Sequence, residues 1–157
     1  MGRILCAWSP NWAIENWRRR TPCASPAEGT PFALVASARG VRVLSAVDAA
    51  ARAAGLFVGQ KATDAAALCP GLATAEAEPD ADARALEALA DWCVRYSPAV
   101  APDPPDGLFL DVTGVAHLWG GEEPMMADLA DRLARNGLGV RLAVADTAGA
   151  AWALARH

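Results

Sequence analysis

The chemistry open to this chain turns on one carboxylate that lacks the neighbours it would need. Asp106 opens the run Asp106-Gly107-Leu108-Phe109-Leu110-Asp111-Val112-Thr113, which reads as a turn feeding a half-buried strand. Two-metal chemistry on a phosphate requires several carboxylates converging on one point, because Mg²⁺ takes hard oxygen ligands and is bound with its substrate phosphates. Yet the residue after Asp106 is glycine, and the strand expected beside it carries Cys6 and no acid. Asp103 and Asp111 are the neighbouring acids; on a regular strand Asp111 faces away from Asp106. Asp106 in Pro104-Pro105-Asp106-Gly107 is also a good turn residue without any metal. His117 has no partner acid at a telling spacing, so packing or a backbone hydrogen bond competes with a general-base role.

Several elements must position these residues. Arg3 to Trp8 reads as a buried strand, and Ser9-Pro10 as the start of a helix through Trp12, Ile14 and Trp17 to Arg18-Arg19-Arg20. Thr21 to Pro31 is a loop, and Phe32–Ser37 with Val41–Ala46 forms a hairpin around Ala38-Arg39-Gly40. Short helices follow at Asp48–Ala54 and after a Thr63 cap. A long helix from Pro79 carries Leu86, Leu89, Ala90, Cys93 and Val94 on one face. Strands near Ala99–Pro102 and Leu108–Val112 come next, then a helix over Glu122–Arg135 with Met126, Leu129, Ala130 and Leu133 on one side. Gly139–Ala145 is a strand, and Thr147 caps a last helix that His157 cuts short. With residues 11–77 set aside, the order is β-α-β-β-α-β, a ferredoxin-like α+β fold whose first and third strands are central neighbours.

Composition narrows the function classes. A chain of 157 residues with 54% hydrophobic and 20% charged content is a folded globular domain. Cysteines 6, 23, 69 and 93 show no metal-ribbon or redox spacing and suit a reduced interior. No apolar run is long enough to span a membrane, and no signal segment begins the chain. The net charge of −4 disfavours nucleic-acid binding, but it is unevenly spread. Residues 1–61 hold eight Lys/Arg against three acids, whereas 62–157 hold six Arg against fifteen. The basic first third either faces something anionic or is a solvated surface.

A ferredoxin-like palm with a small helix and hairpin insertion after its first strand resembles the N-terminal part of Y-family translesion DNA polymerases. The matching stretches are Leu5-Cys6-Ala7-Trp8-Ser9-Pro10-Asn11-Trp12, Pro104 to Asp111, and Asp48-Ala49-Ala50-Ala51-Arg52-Ala53-Ala54-Gly55. More narrowly, Asp106 to Gly114 with Ala116-His117-Leu118-Trp119-Gly120-Gly121 looks like the ImuB group, polymerase-like proteins of bacterial mutasomes regarded as catalytically inactive. The resemblance implies a palm at 1–10 and 78–157 and fingers at 11–77. It puts the family's thumb, little finger and clamp-binding tail outside these residues.

Mapped onto the family, the metal-site positions are Cys6, Asp106 and Gly107, and the nucleotide-pocket positions are Asn11, Ala49 and Arg52. The steric gate falls near Asn11 and the triphosphate-holding Tyr at Ala49; Arg52 is kept, as a remnant phosphate contact or as a surface helix residue. The resemblance thus implies a pseudo-polymerase without cofactor, a scaffold of an SOS-type mutasome in bacterial cytoplasm near the nucleoid. Implied partners are a RecA-like accessory protein of the ImuA type, a C-family error-prone polymerase and, through absent regions, the sliding clamp. Arg18, Arg19, Arg20, Trp12 and Trp17 are candidate DNA or partner contacts, the tryptophans competing with plain core filling. The alternatives are an active nucleotidyltransferase with an atypical metal site, or a DNA-binding module using the basic segment.

Overall fold

Strand β1 (Ile4–Trp8) is covered on both faces, so its side chains divide by alternation. Leu5 and Ala7 enter one core with Leu108 and Leu110, while Cys6 enters another with Ala145, Ala151 and Ala155. The computed structural model describes residues 2–157. It separates into two units: residues up to Trp12 with Asp80–His157, and Ala13–Pro79.

In the first unit β5 (Val100–Asp103), β6 (Gly107–Asp111), β1 and β7 (Arg141–Ala145) form a sheet in that order. Every neighbouring pair is antiparallel, with β1 central beside β6. This is the ferredoxin-like α+β order expected from the sequence. Helices α4 (Pro79–Cys93) and α5 (Glu122–Arg135) supply Leu86, Met125, Leu129 and Leu133 to the core containing Leu5. Each such buried side chain contributes roughly 1.5–3 kcal/mol against exposure. The inward methionine of α5 is Met125, with Met126 half-buried against the same core, while Leu129 and Leu133 are buried as expected. Helix α6 (Ala148–Arg156) packs the opposite face, and the Thr147 side chain accepts from Ala150 N at its start.

Two further contacts tie this unit's ends. The Arg3 guanidinium grips Glu122 with two 2.8 Å bonds and Asp146 at 2.6 Å, and holds the Glu122 carboxyl below its usual range. The 3₁₀ turn Ala116–Trp119 is fixed by Trp119 stacked on Tyr96, ring centroids 4.6 Å apart. Gly120 and Gly121 then turn the chain into α5 at φ 87° and 122°, values that L side chains rarely adopt.

The second unit is a three-stranded sheet ordered β3-β2-β4. β2 (Phe32–Ala38) and β3 (Val41–Val47) make the expected hairpin, with Arg39 and Gly40 both at positive φ as a two-residue loop requires. β4 (Ala73–Glu76) was not expected: its alanine-rich sequence carries little strand preference, and it forms by parallel pairing with β2. Helix α1 (Trp12–Arg20) begins two residues beyond Pro10. Helix α3 (Ala62–Leu68) starts before Thr63, because Lys61 is held extended by its bridge to Val43.

Asp48, buried before α2 (Ala49–Ala53), does several jobs at once. Its carboxylate accepts from Ala51 N at 2.8 Å and Phe32 N at 3.1 Å and pairs with Arg18 at 2.8 Å. Asp48→Ala should therefore cost about 2–4 kcal/mol by denaturant unfolding, the sum of a lost cap and unpaired buried donors. A cost under about 0.5 kcal/mol, typical of a bland surface change, would contradict this.

Candidate functional site

The register of β1 against β6 sets Cys6 opposite Phe109 and Trp8 opposite Gly107, and that of β5 sets Asp103 opposite Gly107. Cys6, Asp103, Asp106 and Gly107 therefore gather at one end of the sheet. Asp106 stands in the turn, where its carbonyl accepts from Ser9 N at 3.0 Å. Its carboxylate accepts from Trp8 Nε1 at 3.1 Å. Asp111 lies with Phe109 and Gly107 by strand alternation, on the side where Phe109 packs beside Cys6. The Asp106 carboxylate also reaches that side, through Trp8, so the expected opposite-face separation is wrong. Asp106 precedes the regular strand, and distance along β6 keeps the two acids apart, Asp111 pairing with Ile4 at the far end.

A residue remote in sequence completes the cluster. Arg156, in the last turn of α6, places Nη2 3.4 Å from Asp103 Oδ2 and 3.6 Å from Asp106 Oδ1. Its Nη1 lies 3.8 Å from Cys6 Sγ. The guanidinium carbon stands 5.2 Å from the Trp8 ring centroid and 4.2 Å from that of Trp152. These separations are ion-pair and cation–π distances rather than short hydrogen bonds. The side chain is only 14% exposed, so solvent screens the charges weakly. The only local signal was Trp152 four residues before an arginine; the acids it meets are remote in sequence.

The remaining donors are poor for a hard cation. Burial pushes the Cys6 thiol up, with Asp103 and Asp106 adding to this and Arg156 opposing it. Cys6 is thus a neutral thiol near pH 7. At Gly107 a Cβ would come 3.3 Å from Asp103 O and Oδ2 and 3.4 Å from Ala7 O. An acid at 107 would compete with the Asp103 carboxylate for the same space.

Other expected site residues are placed as follows. Asn11 is half-buried in the turn between β1 and α1. Ala49 and Arg52 are exposed on α2 of the second unit, with Arg52 Nη2 3.4 Å from Val47 O. Trp12 is 4% exposed and donates Nε1 to Asp82 O at 3.1 Å, and Trp17 is 9% exposed against Phe32. Core filling accounts for both rings, which decides between the two readings and leaves neither ring as a surface contact. Arg18 is held by Asp48, Arg20 by Glu78 at 2.5 Å, and Arg19 is exposed.

The palm-type sheet with acids at one end defines a polymerase-like domain, and solved structures share its fold. An insertion ternary complex of Dbh DNA polymerase superposes with a TM-score of 0.78 at 14% identity, covering 98% of this chain and 44% of that one. DinB from Sulfolobus solfataricus gives 0.75 at 16% identity, covering 99% and 44%. Residues 23–156 match the impB/mucB/samB family model, and the chain belongs to that family. Over 102 residues, 65% of the chain, it is 69% identical to Protein ImuB of Caulobacter vibrioides, strain NA1000 / CB15N. The same figures hold for the protein of strain ATCC 19089 / CIP 103742 / CB 15. The match spans 22% of each relative's length. The resemblance to Y-family polymerases is borne out.

The two Mg²⁺ ions that this likeness implies do not fit the residues present. Mg²⁺ needs hard oxygens in near-octahedral array. Here one position offers a neutral thiol, another has no side chain, and a guanidinium lies against the two carboxylates.

Thiol accessibility checks this geometry. Cys23 is exposed, whereas Cys6 and Cys93 are buried, the latter pushed up to about 12 by burial. At pH 8 a disulfide reagent should modify Cys23 promptly and reach Cys6 and Cys93 only after denaturation, because thiolate fraction and access set the rate. Prompt native-state labelling of Cys6, read by peptide mass spectrometry, would contradict the packed cluster.

Proposed function

We propose that this domain is a non-catalytic member of the polymerase fold, a scaffold that supports error-prone translesion synthesis by recruiting partner proteins. The observation that carries the reading is the Arg156 guanidinium set against Asp103 and Asp106, beside the Cys6 thiol and the bare Gly107. Phosphoryl transfer rests almost wholly on positioning and charge neutralisation by metal ions, and these donors supply neither. Where catalytic units have been dismantled in other enzymes, rates fall by roughly 10⁶-fold.

Likeness to the ImuB proteins supports a place in an SOS-type mutasome, with a RecA-like accessory protein, a C-family polymerase and the sliding clamp as partners. The DNA-binding alternative is weakened by internal pairing. Arg3, Arg18, Arg20 and Arg42 each hold an acid of the chain, so much of the basic first third is already neutralised. No helix among the described residues is long and apolar enough to cross a membrane.

Two assays on the full-length protein test the reading. Primer extension with Mg²⁺ or Mn²⁺ should give no product, and pull-down against the three partners should retain at least the accessory protein. Templated extension would overturn the non-catalytic half. Failure to bind any of the three partners would overturn the scaffold half.

A further inference from the structure

We propose that Arg156 is the resident cation of this site: its guanidinium tethers β1, the β5–β6 turn and α6 through charge, and its presence keeps divalent metal out. The tether is independent of any partner, since it concerns only the atoms of one sheet and the helix packed on it.

Three elements converge on one group. Cys6 comes from β1, Asp103 ends β5, Asp106 stands in the β5–β6 turn, and Arg156 ends α6. The aromatic faces of Trp8 and Trp152 lie against the same guanidinium, and Trp8 also donates to Asp106. An arginine suits this place better than a lysine, because its planar fork meets several acceptors at once while its faces stack on rings. Its charge is also permanent, so the carboxylates are always met by a cation.

Gly107 belongs to the same arrangement. A Cβ there would crowd the Asp103 carboxylate at 3.3 Å, so the absent side chain leaves Asp103 free to lie against Arg156. The thiol at Cys6 presents no charge to compete for the guanidinium. Cys6, Gly107 and Arg156 therefore form one coupled solution, in which a side chain fixed to the fold replaces a bound ion.

The clearest test is whether charge removal changes sign. In thermal melts of the purified protein, Arg156→Met should lower the melting temperature by roughly 4–10 °C, because two partly buried carboxylates lose their counter-charge. Asp106→Asn should destabilise the parent but raise the melting temperature of the Arg156→Met variant. Equal effects of Asp106→Asn in both backgrounds, or an unchanged melt for Arg156→Met, would overturn the tether. Metal exclusion is read by Mn²⁺ electron paramagnetic resonance on Cys6→Asp and on Cys6→Asp with Arg156→Met. The first should bind no Mn²⁺ at 1:1 stoichiometry and the second should bind one ion. Binding by the first variant, or by neither, would overturn exclusion by Arg156.

Discussion

The pairing of β1 with β6 is the constraint on which the rest of this molecule depends. It sets Cys6 opposite Phe109 and Trp8 opposite Gly107, so the end of β1 must meet the β5–β6 turn. Once that register is fixed, alternation sends Leu5 and Ala7 into the core of α4 and α5, and leaves Cys6 facing α6. A slip of one residue would exchange every inward side chain for an outward one. The large buried core and the charged cluster are therefore two faces of one decision about register.

Charge then decides what the cluster can hold. A divalent ion about 4 Å from the guanidinium would be repelled by about 8 kcal/mol at an effective dielectric of 20. Arg156 already balances one of the two carboxylate charges, which lowers what Asp103 and Asp106 can offer in return, and the buried thiol offers nothing hard. The palm framework keeps its sheet order, and at the end of the sheet that carries Asp103 and Asp106 a helix-borne cation lies against both acids. The same economy marks the other unit, where Asp48 caps α2, accepts from Phe32 N and pairs with Arg18.

Local pattern made much of this legible. The apolar run of β1, the helical spacing in α4, the hairpin at Arg39-Gly40 and the Thr147 cap all follow from side-chain pattern and turn chemistry. The adjacency of Cys6 and Asp106 followed from the β-α-β-β-α-β order. What escaped was tertiary. β4 borrows its conformation from β2, and α3 starts where the Lys61 bridge lets it. Arg156 escaped for the same reason: an arginine ending a helix is ordinary until the fold sets it beside acids some fifty residues earlier.

The most direct measurement is a crystal structure of the protein soaked in Mn²⁺, with anomalous data at the manganese edge. The account predicts no anomalous peak among Cys6, Asp103 and Asp106, and the Arg156 guanidinium within about 4 Å of both carboxylates. A manganese peak bridging Asp103 and Asp106, with Arg156 turned away, would contradict it.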